Sequence, residues 1–277
     1  MNHRHPNAIE AALNAWQQWL CSNSADERPS LGAMIGMGSA HRIFELTHDD
    51  RYVLRVRHQR HGLSVNESLE EIRLWQDASN AGVAPPIHYH SHDGEVVVTD
   101  RLNFNGVSVE DHATLLKQIH ALPISHPKLS LVAVAERYQR TIKQRTISAN
   151  GHAISAKHPE YDTLRQDLAV LDGDNLCFCH NDLTRENVGL DNGTVVAIDW
   201  EYASMGSPHF DVATASLGME QPMRDAFALE VLERNFSRNL WTAACRAVPH
   251  INYLWAVATG DASCASHYRQ MLEDISS

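Results

Sequence analysis

The sequence predicts an α+β fold in two lobes, a β-rich N-terminal one and a mainly helical C-terminal one. Short apolar runs of strand length, separated by turn residues, crowd the stretch from residue 31 to residue 100. From Leu102 onward the apolar residues recur at helical spacing instead. A single compact β-rich insert at 176–199 interrupts that helical half, and it carries the densest set of chemically active side chains in the chain. With 277 residues and 43% hydrophobic content, the chain suffices for one large domain or two smaller ones with proper cores.

Ile9, Ala12, Leu13, Trp16 and Leu20 place an amphipathic helix over 7–21, and the polar stretch Ser22–Ser30 reads as a connection. Strands follow at Leu31–Ile35, Arg42–Leu46 and Tyr52–Arg57, the first two joined by a glycine-bearing turn and the next two by His48-Asp49-Asp50. Leu69, Ile72 and Trp75 share one face of a helix over 65–81, which Gly82 ends. Pro85-Pro86 breaks the chain before two strands at 87–91 and 94–100, with Asp93-Gly94 turning between them. Helices are expected at 108–121, 130–147, 161–171, 222–240, 248–259 and 263–274. The domain plan is thus an N-terminal helix and connection (1–30), a β-rich lobe (31–101) and a helical lobe (102–277), hinged near residues 99–102.

A formal charge of −11 argues against nucleic-acid binding, which needs a basic face. It favours the approach of a cationic small molecule. No run approaches the ~18 apolar residues of a membrane span, and the N-terminus shows no secretory leader. The five cysteines are odd in number and unpatterned, so the expected compartment is the reducing cytoplasm. Cys177 and Cys179 alternate about Phe178 and are expected to be structural, and the 18 histidines show no ligand spacing on a helix.

Function concentrates in Phe178-Cys179-His180-Asn181-Asp182-Leu183-Thr184-Arg185-Glu186-Asn187 and in Val195-Val196-Ala197-Ile198-Asp199-Trp200-Glu201. A His-x-Asp, an Asn five residues after that Asp, and a second Asp ending a strand form the set that phosphoryl transfer requires. Asp182 is the expected catalytic carboxylate, placed to orient a hydroxyl and take its proton. Asn187 and Asp199 offer one neutral and one anionic oxygen, a donor pair suited to Mg2+ on nucleotide phosphates. His180 is expected to support the loop through hydrogen bonds, and Glu201 is a candidate for the substrate side of the site. Gly36, Gly38 and Ser39 lie in the first strand turn, where backbone N–H groups can approach phosphates. Arg55, on the third strand, is the expected phosphate-binding cation, and Arg51 and Arg57 share its face. Its helical partner is Glu71 or, as the alternative, Glu67.

Taken together, these residues resemble the aminoglycoside phosphotransferase and choline kinase superfamily, in particular its choline/thiamine-kinase-like branch. The likeness is carried by His180–Asn187, by Ile198–Ala203, and by Gly206-Ser207-Pro208-His209-Phe210-Asp211-Val212-Ala213. Arg55, Gly82–Pro85 and Gln118-Ile119-His120-Ala121-Leu122 are similar to weaker family elements. The resemblance implies a two-lobed protein-kinase-like fold, ATP or another purine triphosphate as donor, Mg2+, and a small-molecule acceptor. It favours Glu71, fourteen residues before Pro85, and makes Asp211 structural. Two positions depart from the pattern. His41 stands where the glycine turn usually has Asn. In Leu254-Trp255-Ala256-Val257-Ala258 the family's second aromatic is replaced by Ala258, leaving Trp255 as the candidate acceptor-side aromatic. The implied acceptor is a hydroxylated amine such as choline, ethanolamine or thiamine. The alternatives are an aminoglycoside kinase with Glu160, Asp162 and Asp167 near its pocket, and a nucleotide-sensing pseudokinase.

Overall fold

The computed structural model describes residues 6–19, 27–47, 49–58, 63–150 and 161–276, without the side chains of 146–150, 161, 275 and 276. His48 of the second turn, Leu20 and Cys21, most of the 22–30 connection, and Glu160 lie outside the described residues. The chain divides into two compact units, Met1–Leu115 with Glu186–Tyr202, and Leu116–Arg185 with Ala203–Ser277.

In the first unit, β1 (Leu31–Met37), β2 (His41–Leu46), β3 (Tyr52–Arg57), β4 (Ile87–His90) and β5 (Val96–Asp100) form one antiparallel sheet in the order β1-β2-β3-β5-β4. Central β3 is buried along its whole length. Helices α1 (Pro6–Asn14) and α2 (Trp16–Trp19) join the core by burying Ile9, Leu13 and Trp19 with Phe44, Leu54, Val56 and Val98. The expected single N-terminal helix breaks at Ala15. Trp19 there turns back to donate its indole N–H to the Ala12 carbonyl at 2.8 Å and meets Tyr52 edge-on. Helix α3 (Ser68–Asn80) ends before Gly82, whose φ of +78° suits glycine. Gly94 turns β4 into β5 at φ +70°, and a Cβ there would strike Ser68 at 3.0 Å.

The hairpin β7 (Val188–Asp191) and β8 (Thr194–Ala197) belongs to this first unit. Backbone bonds secure it: Asn103 and Leu190 exchange two, and Ala197 N–H donates to the Val83 carbonyl at 2.8 Å. Residue spacing along the chain carries no trace of these long-range bonds, so the sequence alone grouped the hairpin with the helical half.

The second unit holds the end of α4 (Val109–His120), then α5 (Leu131–Asn150), α6 (Tyr161–Leu171), α7 (Pro208–Ala215), α8 (Gln221–Leu232), α9 (Arg238–Thr259) and α10 (Ala262–Ser276). A two-stranded piece pairs β6 (Cys177–Cys179) with β9 (Ser204–Gly206). Leu116, Ile119, Leu168, Phe178, Phe227, Trp241 and Val248 are buried in this unit. Two expectations change. Helix α7 was not anticipated, because all eight of its residues are buried and no polar face marks its period. The helices expected at 222–240 and 248–259 are instead divided at Glu233–Ser237, and α9 runs on through Pro249 to stop at left-handed Gly260. The fold is kinase-like, a sheet-bearing N-terminal part followed by a helical C-terminal part. No helix of the described residues is long and apolar enough to cross a membrane.

Candidate active site

Two clusters, one in each unit, hold most of the charged residues singled out by sequence. In the first, β3 presents Arg55 and Arg57 two residues apart, hence on one face, and α3 brings Glu71 against them. Arg55 donates to Glu71 Oε1 at 2.6 Å and Arg57 to Oε2 at 2.7 Å, so one fully buried carboxylate holds two buried guanidiniums. Glu67 instead precedes α3 at its N-cap. Trp75 lies beneath the Arg55 guanidinium, 4.8 Å from its ring centre. Burial alone would lower the Arg55 pKa, but Glu71, with Asp199 and Glu201 beyond it, raises it and keeps the side chain charged. Arg57 has a second acidic neighbour: its Nη1 lies 3.7 Å from Glu201, which also accepts from the Ser64 hydroxyl at 2.8 Å. Glu201 is therefore buried inside this network.

Asp199 follows β8 with its backbone in the left-handed region, φ 69°, an uncommon state for a non-glycine residue. Its Oδ1 is buried with no hydrogen-bond partner among the described residues. Its nearest basic neighbours are the Arg55 guanidinium, with Nη1 at 4.0 Å, and the His41 ring at 3.9 Å. The side chain as a whole keeps 30% of its surface, so a ligand can reach it. Burial, then the negative charges of Glu201 and Glu71, push the Asp199 carboxyl up to about 8. Burial, reinforced by Arg55 and Arg57, holds His41 well below the ordinary imidazole value. That imidazole is therefore neutral and does not neutralise Asp199. A buried, orphaned carboxylate oxygen among other acids is what a hard cation would satisfy. Asn187 ends a 3-10 turn at the foot of β7, and its carbonyl accepts from Ile198 N–H at 3.0 Å, which sets the two candidate metal-binding positions on adjacent backbone. This donor set fits Mg2+.

The second unit carries the candidate catalytic loop around Asp182. Asp211, at the start of α7, is fully buried and accepts from the backbone N–H of His180 (2.9 Å) and Asn181 (2.7 Å). His120, at the end of α4, bonds the same carboxylate through Nε2 at 3.0 Å. Burial alone would raise Asp211, yet the His120 hydrogen bond and the nearby imidazole charges hold it below the usual carboxylate value. Asn181 sits at φ 63° and donates its side-chain amide to Ser204 Oγ at 2.9 Å. These bonds fix the two residues before Asp182, and Thr184 N–H closes a turn onto the Asp182 carbonyl at 2.8 Å. Asp182 itself is half-buried.

The remaining candidates are placed less centrally. Gly36 lies in β1 opposite Ile43, and Gly38 N–H donates to the His41 carbonyl at 2.9 Å, closing the turn that contains Ser39. Trp255 is half-buried on α9, with Ala256 and Ala258 buried beside it. Tyr253 is engaged by Arg269 of α10, which bonds its hydroxyl at 2.9 Å. Asp167 is buried and doubly bonded by Arg246, while Asp162 is exposed. Sequence reading assigned no role to Arg57, His41 and Ser64. Arg57 was open to discovery from its two-residue spacing to Arg55. His41 and Ser64 leave no comparable signal.

The profile of the phosphotransferase enzyme family matches residues 34–245, more than half the chain. The chain belongs to that family. It is a phosphotransferase. Among curated proteins, it is 50% identical over 36 residues to Protein LicA of Haemophilus influenzae, a match spanning 13% of this chain and 14% of that protein. Among solved structures, this phosphotransferase is similar to choline kinase LicA from Streptococcus pneumoniae, with a TM-score of 0.68 at 16% identity over 88% of this chain and 92% of that one. It is also similar to the APH(2")-IIa of a streptomycin–ATP ternary complex, with a TM-score of 0.58 at 15% identity over 99% and 97% of the two chains. At such identities the structural likeness speaks for the fold.

Proposed function

We propose that this phosphotransferase moves the γ-phosphoryl group of ATP to the hydroxyl of a small hydroxylated amine, such as choline, ethanolamine or thiamine, in the cytoplasm. The observation that carries the reading is Asp199: a reachable carboxylate, crowded by acids and lacking a hydrogen bond at its buried oxygen, calls for a divalent cation. Asp199 and Asn187 would hold Mg2+, which when bound neutralises phosphate charge. Arg55 supplies fixed positive charge beside that position, held in one rotamer by Glu71 and Trp75. The Gly36–Ser39 turn, closed by Gly38 N–H on the His41 carbonyl, would lie over the phosphates. Asp182 orients the acceptor hydroxyl, whose oxygen attacks the γ-phosphorus as the bond to the departing ADP oxygen breaks. The hydroxyl proton passes to the Asp182 carboxylate. Asp211, by holding the backbone of His180 and Asn181, fixes the chain that leads into Asp182.

The amine reading draws support from the likeness to choline kinase LicA, from the net charge of −11 and from Trp255. The aminoglycoside alternative loses one of its acid contributors, because Asp167 is neutralised by Arg246. The pseudokinase alternative is disfavoured by the presence of Asp182, Asn187 and Asp199 together. The test is an ATP-consumption screen over amino alcohols, thiamine and aminoglycosides, with products read by mass spectrometry. A phosphorylated amino alcohol or thiamine is expected. Turnover with aminoglycosides alone, or retained Mg-ATP binding without any acceptor, would overturn the assignment. Asp182→Asn is expected to cut kcat by about 10²–10⁴-fold while leaving nucleotide affinity and melting temperature unchanged.

A further inference from the structure

We propose that Cys177, Cys179 and His120 form a binding site for a thiophilic divalent cation, represented by Zn2+. Residues two apart on a strand share a face but have Cα atoms roughly 6.5 Å apart. Here the two side chains converge, and their Sγ atoms stand 3.6 Å from each other. Two thiolates on one tetrahedral zinc, each about 2.3 Å from the ion, stand roughly 3.8 Å apart. The observed pair is therefore already at a chelating separation. A ring nitrogen of His120 completes a group of three ligand atoms lying within 4.8 Å of one another.

The surroundings fit such an ion. Cys177 pairs across the ladder with Gly206, and Cys179 with Ser204, so no bulky side chain stands opposite either thiol. Phe178, between them, is buried in the core and anchors the strand. Cys179 is fully buried whereas Cys177 is partly exposed, which gives an ion a way in from the Cys177 side. His120 Nε2 is bonded to Asp211, leaving Nδ1 as the nitrogen with a lone pair to offer. A carboxylate on the far nitrogen is the usual partner of a metal-bound imidazole. Two thiolates and a neutral imidazole around a dication carry no net charge, which lowers the cost of burying the ion. Each thiol loses its proton to solvent as its S–metal bond forms, His120 Nδ1 likewise releases the proton it carries when the imidazole is charged beside Asp211, and the fourth coordination position stays open. Soft sulfur donors discriminate against Mg2+, so this site and the oxygen donors Asn187 and Asp199 select different ions.

The test uses the full chain, reduced and metal-free, and does not depend on the acceptor or on any activity. Titration with Co2+ is expected to give a thiolate-to-cobalt charge-transfer band that saturates at one ion per chain and disappears when Zn2+ is added. Cys177→Ser and Cys177→Ala are each expected to weaken Zn2+ binding by about a hundredfold or more, while Cys264→Ser leaves it unchanged. In the unmutated protein, Zn2+ is expected to slow N-ethylmaleimide labelling of Cys177, mapped by mass spectrometry, at least tenfold relative to Cys264. A cobalt band of equal strength in folded Cys177 variants would overturn the proposal. So would unchanged labelling of Cys177 under Zn2+, or a Cys177–Cys179 disulfide that on reduction yields no metal binding.

Discussion

In the metal-free protein Asp199 keeps its proton up to about pH 8, through burial reinforced by Glu201 and Glu71. An incoming Mg2+ must displace that proton, so its apparent affinity should fall by nearly tenfold for each pH unit below 8. Calorimetric titration at pH 6.5, 7.5 and 8.5 would register the trend, and Asp199→Asn should bind weakly with no such slope. The same shift has a stability consequence. The carboxyl ionises from its ordinary 3.8 upward in the unfolded chain but only near 8 in the folded one. Its contribution is therefore fully present below pH 4 and is lost as pH climbs to about 8. The metal-free Asp199→Asn protein should accordingly gain most in melting temperature over the unmutated protein near pH 8, and little near pH 4.

Among elements, the junction of β3 with α3 depends on one residue. Removing the Glu71 charge leaves two buried guanidiniums short of an anion. Breaking a buried pair this way costs about 3–5 kcal/mol, and Gln retains one acceptor, so Glu71→Gln should lose about 3 kcal/mol in urea unfolding. A variant as stable as the parent would show that water already relaxes the cluster. Most of this architecture was legible in the sequence. The five strands and α3 stand out because turn residues and apolar alternation punctuate them. Arg55 could be named from the apolar residues that flank it on its strand and Asp199 from its place at the end of one, whereas the choice of Glu71 over Glu67 rested on the family resemblance. The rest was hidden for physical reasons. Helix α7 is buried on every side and so has no amphipathic period, although Ser207-Pro208 is a fair N-terminal signature and Ser207 Oγ does accept from Phe210 N–H. The sharing of Glu71 between two arginines, and of Asp211 between His120 and two loop amides, arises only once distant segments meet.

Over the whole molecule, the excess of eleven negative charges makes encounter with the acceptor sensitive to salt. If the acceptor is a cation, its kcat/KM should fall several-fold between 10 and 200 mM KCl, as the Debye length shrinks from about 30 Å to below 10 Å. A neutral alcohol analogue should show little change at fixed Mg-ATP. Equal salt sensitivity for both would assign the effect to the nucleotide.

The polypeptide passes between its two units three times, after residues 115, 185 and 202. A gene cut at the first crossing would yield a leading fragment stripped of the segment 186–202, and with it both Asn187 and Asp199. Neither half can be lent to another protein as an uninterrupted cassette. To move the first unit whole, recombination has to carry residues 1–202, and to move the second it has to carry 116–277, so each transfer brings a complete segment of the other unit with it.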